Sequence, residues 1–265
     1  MTGLRLAAVD LDGTLLRSDR SISARSRAAV AEAQAAGVEI VLVTARHPAA
    51  IEWFVADLAL TGEAVCCVGA AVCALPSGAV TWSKPLPPEN CVEIANRVAT
   101  EFADLHFGWV LESGSLGYQH GYPNRFLIGP SFHGDPAEID VPVLKMWVVG
   151  PTLDERWPAG LAEALAGQAD IAHHGTGFVD LVAPGVNKVD TLRRLCRLRG
   201  VEAGEVVAFG DADADLPMLD WAGHGVMMAN GRPELHGRAQ EVAPSCDEDG
   251  VAVVLERLVQ EGARL

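Results

Sequence analysis

No stretch of this chain reaches about 18 uninterrupted apolar residues, the length a helix needs to cross a bilayer, so no membrane span is expected. The N-terminal apolar stretch is short, is broken by Arg5 and runs straight into acidic residues, which is not the pattern of a secretory leader. Positive charge is scarce too: 20 basic residues face 35 acidic ones, a formal net charge of −15. Nucleic acid is bound through a basic surface, so it is not an expected partner. A small phosphorylated metabolite remains open, because a metal ion and one lysine can meet its charge locally. The six cysteines (66, 67, 73, 91, 196 and 246) have neither CxxC spacing nor a nearby histidine ligand pattern. They read as free, buried thiols, and the protein as cytoplasmic. Internal repeats and low-complexity tracts are also missing.

What is present is an ample core. Hydrophobic residues make up 49% of 265 positions, enough for one large domain or two modest ones. The first third alternates strand and helix: strands at 4–9, 39–43 and 64–68, helices at 23–36 and 48–58, then a hairpin around Pro76-Ser77-Gly78. The proline-rich run Lys84-Pro85-Leu86-Pro87-Pro88 marks a boundary. Beyond it lie a helix at 89–101, strands at 106–111 and 143–149, a helix at 153–165 and strands at 170–174 and 178–182. The Gly- and Pro-rich stretch 113–142 has no clear period. After Ala183-Pro184-Gly185 the alternation resumes, with helices at 189–199, 216–222 and from 251, and strands at 205–209 and 225–228. The expected fold is α/β, a doubly wound, Rossmann-like parallel-sheet core at 1–83 and 186–265, interrupted by an inserted α+β cap at 84–185.

The chemistry concentrates at strand ends. Asp10 and Asp12 sit one residue apart, directly after the first apolar run and before Gly13. Strand ends of open parallel sheets line the ligand crevice. Two acids there repel each other unless a cation or a reacting group offsets them. Three more segments fall beside core strands or at the boundary: Thr44-Ala45-Arg46, Asn187-Lys188, and Gly210-Asp211-Ala212-Asp213-Ala214-Asp215. A carboxylate nucleophile beside Mg²⁺ can accept a phosphoryl group. A threonine hydroxyl and a lysine ammonium can hold the phosphoryl oxygens, and a second carboxylate can move the proton.

In this order the motifs resemble those of the haloacid dehalogenase superfamily of aspartate-nucleophile phosphatases, in its Cof-type branch with a large α/β cap. The resemblance covers nearly the whole chain and extends to Gly-His-Gly-Val-Met-Met-Ala-Asn-Gly at 223–231 and Asp247-Glu248-Asp249-Gly250-Val251. It implies Mg²⁺-dependent hydrolysis of a small phosphomonoester, a sugar phosphate or related metabolite, through an aspartyl-phosphate. By the same resemblance Asp10 is the nucleophile and a metal ligand, and Asp12 the general acid/base with its carbonyl on the metal. Thr44 and Lys188 bind the phosphoryl group, and Asn230, at the site's edge, is a further phosphate-binding residue, close enough to touch phosphate or substrate. Asp211 is the second metal carboxylate, and Asp215 supports a metal-bound water or orients Lys188. Asn187 reads as a turn or helix-cap residue, Arg46 as structural or in contact with the cap, and Asp213 as a loop acid. Three positions depart from the family: Ala45 for glycine, Ala214 for asparagine, and Val68 for asparagine. A phosphomutase or phosphotransferase, or a non-catalytic binding protein on the same fold, is the alternative. In the insertion, His106, His120, Arg125, His133, Lys145, His173 and His174 read as surface or solvated groups, and Met146 and Trp147 as strand core.

Overall fold

The computed structural model describes residues 3–102, 104–123, 131–150, 160–173 and 178–262. Arg125, His174 and residues 153–159 of the expected helix at 153–165 lie outside the described residues. The chain opens with β1 (Leu6–Val9), α1 (Ala24–Ala35) and β2 (Glu39–Leu42). A 3₁₀ turn at Pro48–Ala50 and α2 (Glu52–Asp57) replace the single helix expected there. Next comes an antiparallel meander of β3 (Gly62–Cys66), β4 (Ala71–Leu75) and β5 (Val80–Ser83). The insertion carries α3 (Pro88–Glu101), β6 (His106–Leu111), β7 (Leu116–Gln119), β8 (Ser131–Gly134), β9 (Val143–Val149), α4 (Leu161–Ala164), β10 (Asp170–His173) and β11 (Phe178–Val182). The return run is α5 (Lys188–Arg199), β12 (Val206–Gly210), α6 (Leu216–Trp221), β13 (His224–Met228), β14 (Glu241–Ala243) and α7 (Gly250–Gly262).

Five parallel strands form the main sheet in the order β14-β13-β12-β1-β2. Successive residues of a strand point to opposite faces, and β1 is apolar at every position. Ala7 and Val9 join Ala29 and Val30 of α1 and Val254 and Leu255 of α7 in one core cluster. Leu6 and Ala8 join Val189 and Leu192 of α5 and Met218 and Leu219 of α6 in the other. The sheet is thus covered on both faces, the doubly wound arrangement read from the alternation. Among the described residues β3 forms no ladder with this sheet, and it is joined to it by an isolated parallel bridge between Val43 and Val65. Local chemistry sets the helix starts: the Ser23 hydroxyl accepts from the Ser26 amide at 2.9 Å, capping α1.

The inserted body is a six-stranded sheet, β10-β11-β9-β6-β7-β8, antiparallel except between β7 and β8. The stretch at 113–142 that lacks a sequence period supplies β7 and β8. Leu144, Met146 and Val148 join Ile94 and Val98 of α3 in the core cluster. The opposite face of β9 presents Lys145 and Trp147. Lys145 is not the solvated charge expected from sequence but a buried group with 6% exposure. The two connections between the bodies run side by side, and Lys84 Nζ donates to Pro184 O at 2.8 Å. All six cysteines are free and buried. Among the described residues no helix is long and apolar enough to cross a membrane.

Gly69 joins the turn after β3 to the start of α5. Its φ is +105°, and a Cβ there would stand 2.2 Å from the Asn187 carbonyl oxygen. Thr191 Oγ1 donates to Gly69 O at 2.7 Å across the same contact. Gly69→Ala combines left-handed strain with a backbone clash, so it should lower unfolding free energy by roughly 2–4 kcal/mol. Urea titration of the two proteins checks this.

Candidate active site

β1 and β12 are neighbours, and the strand order turns in opposite directions on either side of them, which opens a crevice at their carboxyl ends. Asp10 follows β1 and Asp211 follows β12, and the Asp10 amide donates to Phe209 O at 3.1 Å. Asp215 ends the 3₁₀ turn Asp213–Asp215. Lys188 is the first residue of α5, and Asn187 is its cap, accepting from the Asp190 amide at 2.8 Å. The cap reading of Asn187 thus holds, and its effect is to place Lys188 at the helix start.

Lys188 Nζ donates to Asp10 Oδ1 and to Asp215 Oδ1, each at 2.7 Å. Asp215 Oδ2 accepts from the Asp211 and Ala212 amides, both at 3.1 Å. Thr14 Oγ1 approaches Asp211 Oδ1 at 3.4 Å. Carboxylate oxygens of Asp10, Asp211 and Asp215 lie within 4.8 Å of one another. Gly13, at φ +78°, makes room for this group, since a Cβ there would stand 2.4 Å from Asp211 Oδ2. Asn230 Nδ2 donates to Gly13 O at 2.7 Å, and Asn230 Oδ1 accepts from the Cys246 amide at 2.8 Å, so Asn230 ties two loops together at the rim.

Burial pushes the Asp10 carboxyl well above its ordinary range, against the pull of Lys188. Burial, then the charge of Asp215, pushes Asp211 up to about 7. Lys188 is raised, because its two carboxylates outweigh the burial that opposes its charge. Crowded carboxylates of this kind are a set of hard oxygen donors with excess proton affinity, and a divalent cation fits them.

Thr44 is buried at 1% exposure after β2, and its hydroxyl accepts from the Arg46 amide at 3.1 Å. Arg46 grips Asp12 from Nε at 2.7 Å and from Nη2 at 2.6 Å. Burial raises the Asp12 carboxyl, but the Arg46 hydrogen bonds and charge outweigh it and hold Asp12 below its ordinary value. This bidentate pair spans the first two motifs and was not legible from sequence, where Arg46 read as structural. Asp213 is exposed and pairs with Arg232, which agrees with its reading as a loop acid.

A family model described as haloacid dehalogenase-like hydrolase matches residues 7–255. The chain belongs to this family. Relatives of this hydrolase include the pyridoxal phosphate phosphatase YbhA of Escherichia coli, 28% identical over 268 residues, covering 94% of this chain and 96% of that protein. The HMP-PP phosphatase of Cronobacter sakazakii is 26% identical over 255 residues, 87% of this chain and 86% of that protein. Among solved structures, a haloacid dehalogenase-like hydrolase from Bacteroides thetaiotaomicron superposes with a TM-score of 0.81 at 25% identity, covering 96% of this chain and 99% of that one. Fold and family agree with the resemblance drawn from the motifs.

His47, next to Arg46, was not singled out by sequence. It is 6% exposed, and neither ring nitrogen has a hydrogen-bond partner among the described residues. Burial, then the charges of Lys145 and Arg46, lowers its pKa to about 4. The unfolded chain therefore takes up this proton first. The contribution to stability is whole above the unfolded value near pH 6.5 and is lost as pH falls toward about 4. From pH 7 to pH 5 the unfolding free energy should drop by roughly 2 kcal/mol on this account. His47→Gln should flatten that part of the pH dependence in urea titrations.

Proposed function

We propose that this enzyme hydrolyses a small-molecule phosphomonoester in a Mg²⁺-dependent reaction through an aspartyl-phosphate on Asp10. The observation that carries the reading is the Asp10 carboxylate, held at Oδ1 by Lys188 inside a cluster of acids at the sheet's crevice. Asp10 attacks phosphorus with its other oxygen, and the leaving alkoxide departs. Lys188 and Thr44 hold the phosphoryl oxygens as charge spreads over them. Asp10, Asp211, Asp215 and the Asp12 carbonyl would hold Mg²⁺, which when bound offsets the repulsion between nucleophile and anionic substrate. Asp215, with one oxygen on Lys188 and the other on two backbone amides, serves mainly to aim the ammonium.

Asp12 handles the proton. The Arg46 pair keeps it ionised before substrate arrives, which suits the later step in which it takes a proton from water. Protonating the leaving oxygen requires a higher proton affinity, and the approach of a phosphate dianion supplies one. Asn230, tied to the Gly13 carbonyl beside the acids, would touch the phosphate from the site's edge. The body at 84–185 acts as the cap that selects the leaving group over a core of 1–83 and 186–265. A sugar phosphate or related metabolite suits it, and the names of the relatives add pyridoxal phosphate to the panel to be tried.

Phosphate release should be metal-dependent with p-nitrophenyl phosphate and with at least one of a panel of sugar phosphates and pyridoxal phosphate. Asp10→Asn should reduce it by roughly a thousandfold or more, with the fold kept, because Lys188 retains Asp215. Asp12→Asn should slow it by about a hundredfold or more. Residual wild-type rates in Asp10→Asn would reject the nucleophile. Phosphoryl transfer to a sugar hydroxyl without release of inorganic phosphate would make the enzyme a mutase.

A further inference from the structure

The inserted sheet buries an ion pair against the catalytic body. Lys145 of β9 is 6% exposed and Asp180 of β11 is fully buried. Lys145 Nζ donates to Asp180 Oδ1 at 2.9 Å and Oδ2 at 2.8 Å, and its remaining hydrogen bond crosses to Ala45 O at 2.8 Å. The Trp147 ring lies 5.6 Å from the ammonium. A buried ion pair pays a desolvation cost of several kcal/mol per ion, and well-packed apolar residues often stabilise a fold as well or better. Stability alone does not account for this pair. An apolar pair could not, however, donate to the Ala45 carbonyl.

That carbonyl occupies a particular place. Thr44 O accepts from the Val68 amide at 3.1 Å, and Arg46 O accepts from the Cys67 amide at 2.9 Å, both within the catalytic body. Ala45 O, between them, is held from the inserted body. The peptide unit that it belongs to carries the Arg46 N–H, which donates to Thr44 Oγ1. One end of the Ala45–Arg46 peptide is therefore fixed by Lys145 and the other by the Thr44 hydroxyl. A peptide unit is rigid and planar, so fixing the carbonyl also orients the amide and the start of the Arg46 side chain.

We infer that Lys145, held by Asp180, is a positioning residue: by docking on the Ala45 carbonyl it orients the Ala45–Arg46 peptide, and through it the Thr44 hydroxyl and the Arg46 grip on Asp12. The site's phosphate-binding and proton-handling side is then complete only when the inserted sheet sits on this loop. The kinetic consequence rests on the roles proposed above for Thr44 and Asp12; the structural one does not.

The test is a double variant, Lys145→Met/Asp180→Leu, which removes both charges together and so avoids leaving one buried and unpaired. Amide hydrogen exchange over residues 44–51 reads the loop directly, beside kcat and KM for phosphate release. Exchange in this segment should rise about tenfold or more, and kcat should fall about tenfold while KM changes by less than about threefold. If the double variant does not fold, Lys145→Gln/Asp180→Asn takes its place, since it keeps polar atoms at both positions but is too short to reach both partners. Exchange unchanged in a folded variant overturns the inference. So does a rise in KM alone with unchanged exchange, which would make Lys145 a group that touches substrate. If wild-type protein releases no phosphate from any substrate, the function proposed above fails, and the exchange measurement still decides the positioning role.

Discussion

The acid cluster of this molecule depends on one ammonium. Three carboxylates converge at the ends of β1 and β12, and burial already disfavours the charged forms of Asp10 and Asp211. Lys188 offsets part of that charge by bridging Asp10 and Asp215. Its position comes from elements that share no sequence neighbourhood. Asn187 starts α5 at the right residue, and Gly69 lets the turn after β3 come within contact of that start. Thr191 locks the two together. A change in any of these moves the ammonium, and the acids then lose the charge that holds them in one place.

The parts that were legible in the sequence are those written in local pattern. β1 is apolar throughout because both of its faces are covered, and the acids follow where the pattern stops. The strand–helix alternation gives a parallel sheet, since each helix carries the chain back to the end at which the preceding strand began. β14 was missed because its three residues, Glu-Val-Ala, are too short to show a period. β7 and β8 were missed because glycine and proline surround them.

Pairing across the chain was legible only where a motif announced it. The Asp10–Lys188 contact closes a separation of 178 residues between two segments that the motif resemblance assigned to one site. The Lys145–Asp180 pair depends on the register of two strands, and its hydrogen bond to Ala45 closes 100 residues with no motif at the lysine end. In isolation Lys145 is an ordinary lysine between apolar residues. The departure at Val68 does have a visible consequence: it holds φ at +61°, a conformation that asparagine adopts readily and a β-branched residue adopts only under strain. The local fold of that turn is set by the contacts around it, not by the residue.

The loop from Thr44 to His47 is where these constraints meet. Arg46 reaches to Asp12, Ala45 is held from the inserted sheet, and the Thr44 hydroxyl accepts from the Arg46 amide. In the reaction proposed above, a phosphate dianion entering the crevice would compete with Asp12 for the guanidinium, because both are anions. Were Arg46 to turn toward the phosphate, the Asp12 carboxyl would lose the interaction that keeps it below its ordinary range. Asp12 would then gain proton affinity when the proposed leaving oxygen needs a proton. On that reading one short loop would join substrate arrival to the protonation state of the acid. Its fixed point is a peptide carbonyl held by a lysine of the other body.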